Sequence, residues 1–310
     1  MRINRVLYSM LVCGFLSSMN ALYSQRYDGE EFGDAVPVGQ EVRPGVRLHT
    51  EESQADYKID AKGNTILTRY INQDPNYYRP EVEKGSYAEW LLNRELYPVG
   101  YNTHLYGGSV KAHKCQVGVL KYDFIGKDLQ QCADAAIRLR AEYLYEKEQY
   151  DKIHFKFTSG FRCDYKKWRM GFRVKFDTKS KATWVRSADL SYDYASFKEY
   201  LKLVFTYAGT YSLSKELVPV SIEDVKPGDV LIKGGMPGHV VTVMDVLKSK
   251  DNKTVKMMFS QSYMPAQEIE ILKNADGSPW FTIDLKNDNA MIYTPEYVFY
   301  KNQFMRWADQ

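Results

Sequence analysis

Apolar residues between positions 227 and 246 form two short runs, Val230–Ile232 and Val240–Val243. A turn containing glycine and proline precedes each run. Short β-branched runs bounded by such turns are typical of buried strands, and two consecutive runs predict a hairpin. His239 stands at the first position of the second strand, directly after the glycine-rich turn.

A third strand is predicted over residues 254–262, after a polar turn at residues 248–253. Side chains alternate between the two faces of a strand. Met257, Phe259 and Gln261 are therefore expected on one face, and the residues between them on the other.

Residues 128–148 have the period of a helix instead. Asp128 and Gln131 have the spacing of a capping box, which predicts that the helix begins near this point. The expected inward face has members separated by four, three and four residues: Cys132, Ala136, Leu139 and Tyr143.

These elements predict an α+β protein in which an antiparallel sheet packs against the Cys132 helix. The expected globular domain spans residues 61–310, and the polar stretch 25–60 is expected to be an arm or linker. Apolar residues are 44% of the 310 and the net charge is +3, with both signs spread along the chain. This composition excludes a disordered chain and gives no indication of a nucleic-acid partner.

The N-terminus has the order of a secretory signal peptide. Arg2 and Arg5 precede an apolar run from Val6 to Leu16, and small polar residues follow. The run is too short and too interrupted to predict an integral membrane span. We expect residues 1–24 to be removed on export to the periplasm or cell envelope. A lipid anchor at Cys13 is the lesser alternative, because Val12 does not fit a lipoprotein signal.

Three cysteines follow the signal segment: Cys115, Cys132 and Cys163. Cys115 and Cys163 lie in polar, strand-like surroundings, where they are either surface thiols or a pair. Cys132 lies in the first helical turn, where the macrodipole is expected to lower the thiol pKa and favour a nucleophilic thiolate. The alternative is an ordinary buried cysteine.

His239, held at the start of a strand, is suited to act as a base. The alternative is a structural histidine that caps the edge of the strand. Gln261 is expected to orient the ring of His239, unless it is an ordinary strand amide. Asp245 lies on the same strand face but about 20 Å along the strand, too far to reach the ring. Backbone N–H groups at the helix start, with Gln131 or Gln130, are the expected oxyanion donors.

Other candidate residues have structural alternatives. Trp168 and Arg169 are either the wall of a substrate cleft or part of an aromatic core. His113 and Cys115 form an H-x-C pair, but no complete ligand set with His104 follows, so neither a metal nor a cofactor is expected. Glycoside hydrolysis requires two carboxylates at a defined separation, which the sequence does not determine. The candidates are Asp123, Asp128, Asp134 and Glu142.

A cysteine at a helix start, then a PGD turn and a Gly-His strand, resembles the order in NlpC/P60 and CHAP hydrolases, which are papain-like. The segments that carry this resemblance are PGDVLIKGG and GHVVTV. It implies a papain-like core and a peptide or peptidoglycan-like substrate cleaved at an amide bond. About a hundred residues separate Cys132 from His239, more than those compact domains contain.

A longer resemblance, over nearly all of the chain after the signal segment, is to the DUF4846 family of exported bacterial proteins of uncharacterised function. It implies no activity. The segments that carry it are GSYAEWLLNRELYP, DLQQCADAAIRLRAEYLY, FTSGF with YKKWRMGFR, YAGTYSLSKEL, GDVLIKGGMPGHVV and SQSYMPAQEIEILKN.

Two hypotheses follow from the sequence. In the first, the protein is a cysteine hydrolase in which Cys132 attacks, His239 transfers the proton and Gln261 orients the ring. In the second, it is a non-catalytic envelope protein that binds peptide or glycan in an aromatic cleft.

Overall fold

A nine-stranded antiparallel sheet organises this computed structural model, which describes residues 56–310. The strands within that range are β1 Tyr57–Ile59, β2 Tyr70–Asn72, β3 Tyr77–Tyr78, β4 Gln116–Val119, β5 His154–Lys156, β6 Arg162–Asp164, β7 Phe172–Phe176, β8 Ala182–Arg186, β9 Leu217–Pro219, β10 Val230–Lys233, β11 His239–Ser249, β12 Thr254–Gln261, β13 Glu270–Leu272, β14 Phe281–Asp284, β15 Met291–Tyr293, β16 Val298–Tyr300 and β17 Phe304–Trp307. The α-helices are α1 Ile66–Arg69, α2 Tyr87–Leu92, α3 Cys132–Glu146, α4 Tyr165–Arg169, α5 Tyr194–Tyr207 and α6 Thr210–Ser214. Short 3-10 helices span Tyr150–Lys152, Ile222–Asp224 and Lys301–Gln303.

The strand order of the large sheet is β4-β13-β12-β11-β10-β17-β9, and β14 and β3 pair with β12 and β11 beside this path. Four further strand pairs, β1–β2, β5–β6, β7–β8 and β15–β16, lie outside it. Helices and antiparallel strands are therefore combined in one domain. This is the α+β class predicted from the sequence.

The hairpin of β11 and β12 forms the middle of the sheet. Thr242 pairs with Ser260 and Lys248 pairs with Val255, so the turn lies where the polar stretch 248–253 predicted it. The register shifts by one residue between Val243 and Asp245. This bulge divides β11 into a half that also pairs with β10 and a half that also pairs with β3.

Two hydrophobic clusters cover the opposite faces of this hairpin. Helix α3 packs against β11 and β12 on one side, where Val240 and Met258 are buried. Val241 and Phe259 are buried on the other side, together with Phe299 of β16. The predicted alternation along β12 is thus confirmed, and both faces of the hairpin are removed from water.

Helix α3 begins at Cys132, but its capping differs from the prediction. Gln131 is the N-cap residue, and its backbone N–H donates to the carboxylate of Asp134 at 3.0 Å. The carboxylate of Asp128 instead accepts from the backbone N–H of Ala266 at 2.7 Å. The sequence spacing placed the N-cap of this helix at Asp128, three residues too early, because the side chain of Asp128 is hydrogen-bonded to a loop that is distant in sequence.

The described domain begins earlier than the predicted boundary at residue 61. Strand β1 pairs with β2, with Tyr57 opposite Asn72 and Ile59 opposite Tyr70. The end of the predicted arm 25–60 is therefore part of the folded unit. The predicted signal peptide 1–24 lies outside the described residues. Among residues 56–310, none of the helices has the length and apolarity needed to span a bilayer.

A buried ion pair fixes the far half of β11. Asp245 is fully buried, and its two carboxylate oxygens accept from Nε of Arg79 at 3.0 Å. Nη2 of Arg79 donates to the same carboxylate at 2.7 Å. Asp245, the sequence alternative for orienting His239, is thus held by an arginine from outside the strand.

We expect Arg79→Ala to lower the free energy of unfolding by about 3 kcal/mol, because the Asp245 carboxylate is left buried without its partner. Lys121→Ala is the control: its pair with Glu95 is exposed, and its loss is expected to change stability by less than about 1 kcal/mol. Urea unfolding measures both. Asp245→Asn in the Arg79→Ala background is expected to restore part of the loss, and equal losses for Arg79→Ala and Lys121→Ala would contradict the assignment.

Candidate active site

A tight glycine-rich turn places His239 at the start of β11. A Cβ atom on Gly238 would lie 2.3 Å from the carbonyl oxygen of Gly235 and 2.4 Å from Oγ1 of Thr210, so no side chain fits there. Oγ1 of Thr210, the first residue of α6, donates to the same carbonyl at 3.2 Å. Gly235 has a φ of 109°, a conformation that glycine adopts without strain.

The ring of His239 is buried and has one hydrogen-bonded nitrogen. Its Nε2 lies 2.8 Å from Oε1 of Gln261. Tyr263 and Tyr297 flank the ring, with centroids 5.2 Å and 5.3 Å from its own. Burial lowers the pKa of His239 to about 4, despite the hydrogen bond to Gln261, so the imidazole is neutral at pH 7.

The strand register explains why Gln261 meets this ring. Thr242 pairs with Ser260, so Gln261 comes opposite Val241 when the register is continued by one residue. His239 lies two residues before Val241, on the same face of β11. The two side chains are therefore diagonal neighbours across the hairpin, at a spacing that long side chains bridge. The structure brings together the pair that the sequence analysis selected.

Cys132 is the first residue of α3 and lies beside the strand that begins with His239. Backbone N–H groups of Ala133, Val240 and Cys132 favour its thiolate. Burial and then the carboxylate of Asp134 act more strongly in the other direction and raise the pKa of Cys132 to about 11. The expectation of a thiol pKa lowered by the helix macrodipole is therefore wrong, because desolvation outweighs the helix end.

Two tyrosines connect the thiol to the histidine. Burial is the largest cause that raises the pKa of both Tyr263 and Tyr297. The charge of Glu296 comes next for Tyr263 and that of Tyr263 for Tyr297, and the charge of Cys132 raises both by less. The same two rings pack against His239. Both tyrosines therefore lie near the thiol as well as against the imidazole, and the hydrogen bond of the His239 ring is made by Nε2, not by Nδ1.

Three charged residues, which the sequence analysis missed, lie behind Gln261. Nε2 of Gln261 donates to Oε1 of Glu270 at 3.1 Å and also to Oε2 of Glu296. Nζ of Lys111 contacts the same two carboxylates at 2.7 Å and 2.8 Å. No local pattern marks these residues, because they come from three separate segments and meet only in the folded protein.

His113, Cys115 and Glu296 have ligand atoms within 4.8 Å of one another, a geometry that also suits a metal ion. The ammonium group of Lys111 lies 3.2 Å from Sγ of Cys115 and 2.8 Å from Glu296. A positive charge from the protein itself therefore already contacts two of the three ligands. We assign no metal to this cluster.

Several residues predicted for the site lie elsewhere. Trp168 donates from Nε1 to Ser196 at 2.9 Å and packs on Tyr200, and Arg169 lies over the ring of Tyr150. Both belong to the aromatic core around α4 and α5, so the prediction of a substrate-cleft wall is wrong for them.

Gln130 is buried with both ends of its amide engaged. Its Nε2 donates to the carbonyl of Gln267 at 3.2 Å, and its Oε1 accepts from Arg138. It is therefore not an oxyanion donor. Gln131 is half-buried directly before Cys132 and remains a candidate.

The remaining thiols and carboxylates have structural surroundings. Cys115 and Cys163 are both buried and unpaired, rather than surface thiols or a disulfide. Arg138 binds the carboxylates of Asp123 and Glu142 at 3.0 Å and 3.3 Å, which leaves no acid pair for glycoside hydrolysis between them.

The fold and the site together define an α+β protein whose central antiparallel hairpin carries a histidine–glutamine pair beside a cysteine at a helix start. The chain belongs to the DUF4846 family, described as a domain of unknown function (4846), whose family model matches residues 67–306. This confirms the family predicted from the sequence. No curated protein and no solved structure shows detectable similarity to it.

We expect stability to depend on pH through His239, because its pKa is about 4 in the folded protein and near 6.5 when unfolded. Above pH 6.5 the ring is neutral in both states. As the pH falls from 6.5 towards 4, only the unfolded chain takes up the proton, so the free energy of unfolding decreases by up to about 3 kcal/mol.

Urea unfolding of the wild type and of His239→Gln across this pH range measures the effect as the difference between the two curves. His113→Gln is the control, because the side chain of His113 is 61% exposed. A pH dependence that is the same in His239→Gln as in the wild type would contradict a depressed pKa at this ring.

Proposed function

We propose that this protein is an exported cysteine hydrolase of the cell envelope, which cleaves amide bonds in peptides or peptidoglycan. The observation that carries the proposal is the 2.8 Å contact between Nε2 of His239 and Oε1 of Gln261. His239 is next in sequence to Val240, whose backbone N–H favours the thiolate of Cys132. Nucleophile, base and orienting amide are the three parts that thiol-based acyl transfer requires.

The proposed reaction begins with both groups neutral. As Sγ of Cys132 bonds to the carbonyl carbon, its proton passes to Nδ1 of His239 and the carbonyl electron pair moves to oxygen. The C–N bond then breaks, and the leaving amine takes the proton from the imidazole. Water, deprotonated by His239, hydrolyses the thioester and releases the acid and the free thiol.

The amino end of α3 is the proposed stabiliser of the oxyanion. The first N–H groups of a helix have no partner within it and carry the positive end of the dipole. The backbone N–H groups of Cys132 and Ala133 lie at this end, next to the thiol. We propose the side chain of Gln131, the N-cap residue, as a third donor.

Resemblance supports the choice of substrate. The order of Cys132 helix, PGD turn and Gly-His strand is similar to that of the NlpC/P60 and CHAP hydrolases, so we propose a papain-like core and peptidoglycan stem peptides as substrates. The segment between Cys132 and His239 contains α4 to α6 and the pairs β5–β6 and β7–β8. We propose that this insertion is a family-specific addition to that core.

The raised pKa of Cys132 favours a second candidate, a non-catalytic envelope protein that binds peptide or glycan. A thiol with a pKa of about 11 is almost entirely protonated at pH 7 and is a poor nucleophile without a base. In this alternative, Tyr263 and Tyr297 would serve as contact surface and His239 as a buried structural ring.

Thiol alkylation distinguishes the two candidates. If His239 acts as the base, iodoacetamide is expected to modify Cys132 faster than the buried Cys115 and Cys163 in the native protein. His239→Gln is expected to slow the modification of Cys132 by about a hundredfold, the lower end of general-base effects. Peptide mapping by mass spectrometry measures each cysteine separately. Equal slow labelling of all three, unchanged in His239→Gln, would sink the hydrolase proposal.

Activity is tested on purified peptidoglycan and its soluble fragments, with new amine and carboxyl ends detected by mass spectrometry. Cys132→Ser is expected to abolish cleavage. Cys163→Ala, which changes a buried thiol away from the site, is expected to retain it. Binding of the fragments by both variants without cleavage by the wild type would favour the non-catalytic alternative.

Export is the remaining part of the proposal and depends on the N-terminal sequence. We expect the protein recovered from a bacterial envelope fraction to lack about the first 24 residues, as a cleaved signal peptide requires. Mass spectrometry of the N-terminal peptide checks this. A mature chain that still begins at Met1 in the cytoplasm would contradict export.

A further inference from the structure

The amide of Gln261 is held at both ends. Its Oε1 faces Nε2 of His239 at 2.8 Å. Its Nε2 donates to Oε1 of Glu270 at 3.1 Å and to Oε2 of Glu296. The side chain of Glu270 is fully buried and that of Glu296 is 10% exposed, so water does not compete freely for these bonds.

Lys111 keeps the two carboxylates in place as acceptors. Its ammonium group lies 2.7 Å from Glu270 and 2.8 Å from Glu296. Burial alone would lower the pKa of Lys111, but the two carboxylates act more strongly and raise it. The ammonium group therefore stays charged and bridges the two carboxylates.

The other polar contacts of Glu270 are also donors. Oγ1 of Thr103 donates to its Oε2 at 2.8 Å, and the thiol of Cys115 lies 3.4 Å from its Oε1. Burial, and then the charge of Glu270, raise the pKa of Cys115 to about 12, so this thiol keeps its proton. Every neighbour of this carboxylate, including the amide nitrogen of Gln261, supplies a hydrogen.

The donors and acceptors around Gln261 determine which ring nitrogen of His239 carries the hydrogen. An ionised carboxylate only accepts, so the NH₂ group of Gln261 must face Glu270 and Glu296, and its oxygen must face His239. An amide oxygen only accepts as well, so Nε2 of His239 must carry the hydrogen. The neutral ring then has its lone pair on Nδ1.

We propose that Lys111, Glu270 and Glu296 are positioning residues that fix the orientation of the Gln261 amide and thereby the tautomer of His239. Their part in catalysis rests on the proposed function, in which Nδ1 takes the proton of Cys132. The tautomer itself is a property of the resting protein and can be measured without a substrate.

A rotated amide shows why the cluster matters. Turning the Gln261 side chain by half a turn would point its oxygen at two carboxylates and its NH₂ group at His239. The ring would then have to accept at Nε2 and carry its hydrogen on Nδ1, which cannot take a proton from the thiol. The negative charges of Glu270 and Glu296 disfavour this arrangement.

The test uses ¹⁵N-histidine-labelled protein and long-range ¹H–¹⁵N correlation at neutral pH, where protonated and unprotonated ring nitrogens have distinct shifts. His239→Gln assigns the signals by removing them. In the wild type we expect one tautomer, with hydrogen on Nε2. In the triple variant Lys111→Met, Glu270→Gln, Glu296→Gln, the two amides that replace the carboxylates can either donate to or accept from Gln261. We expect the Nδ1-protonated form to become detectable there.

Thr103→Val is the matched control, because it removes a hydrogen bond from the Glu270 oxygen that faces away from Gln261. It is expected to keep the wild-type tautomer. If the triple variant does not fold, the wild-type spectrum alone still tests the proposal, because the bonds of Gln261 to both carboxylates require hydrogen on Nε2 of His239. A wild-type spectrum with hydrogen on Nδ1, or an unchanged tautomer in the folded cluster variant, would overturn the proposal.

Alkylation of Cys132 then connects the tautomer to reactivity. We expect the cluster variant to react about tenfold more slowly than the wild type, less than the full loss of a general base. If the tautomer changes and the alkylation rate does not, the positioning role is supported and the hydrolase proposal fails. If the alkylation rate falls while the tautomer stays unchanged, the cluster does not act through the tautomer. The positioning role then fails, and the hydrolase proposal is not affected.

Discussion

The hairpin of β11 and β12 is buried on both faces, and this constraint governs the polar side chains of the site on it and on the neighbouring β13. His239, Gln261 and Glu270 are each at most 1% exposed. Unpaired polar groups at such depth cost about 1–3 kcal/mol each, so hydrogen-bond partners for these three side chains stabilise the fold. The fold supplies these partners as a chain, from imidazole to amide to carboxylates to ammonium, in which each member satisfies the next.

The packing of α3 on the same hairpin sets where the chemistry can occur. The backbone N–H of Val240, the second residue of β11, favours the thiolate of Cys132, so the start of α3 lies beside the start of β11. A rigid helix and a rigid strand fix their relative positions better than two loops would. The glycine-rich turn before His239 completes this arrangement, because Gly238 leaves no space for a side chain against α6.

Local patterns in the sequence were sufficient for the elements and for the central pair. β-Branched runs predicted the hairpin, and period-two alternation selected Gln261, because both follow from strand geometry alone. Glu296 and Lys111 were missed because they are 185 residues apart, and no sequence period connects them. Trp168 and Arg169 were misplaced because aromatic composition does not distinguish a core from a cleft.

The predicted direction of the pKa shift at Cys132 was wrong for a related reason. The effect of a helix start can be read from the sequence, whereas the extent of burial depends on how distant elements pack. Burial determines the sign here, with the thiol pKa raised to about 11 and that of His239 lowered to about 4. The helix N–H groups reduce the rise of the thiol pKa but do not reverse it.

These two shifts have one cause, because a desolvated site disfavours every charge. An ion pair of thiolate and imidazolium is then the less stable resting state, and the neutral pair is favoured. A neutral amide at position 261 suits such a site, since a carboxylate bonded to the ring would favour imidazolium and remove the base. The carboxylates lie one step further away, where Lys111 offsets their charge. They can therefore orient Gln261 while the ring that Gln261 contacts stays neutral.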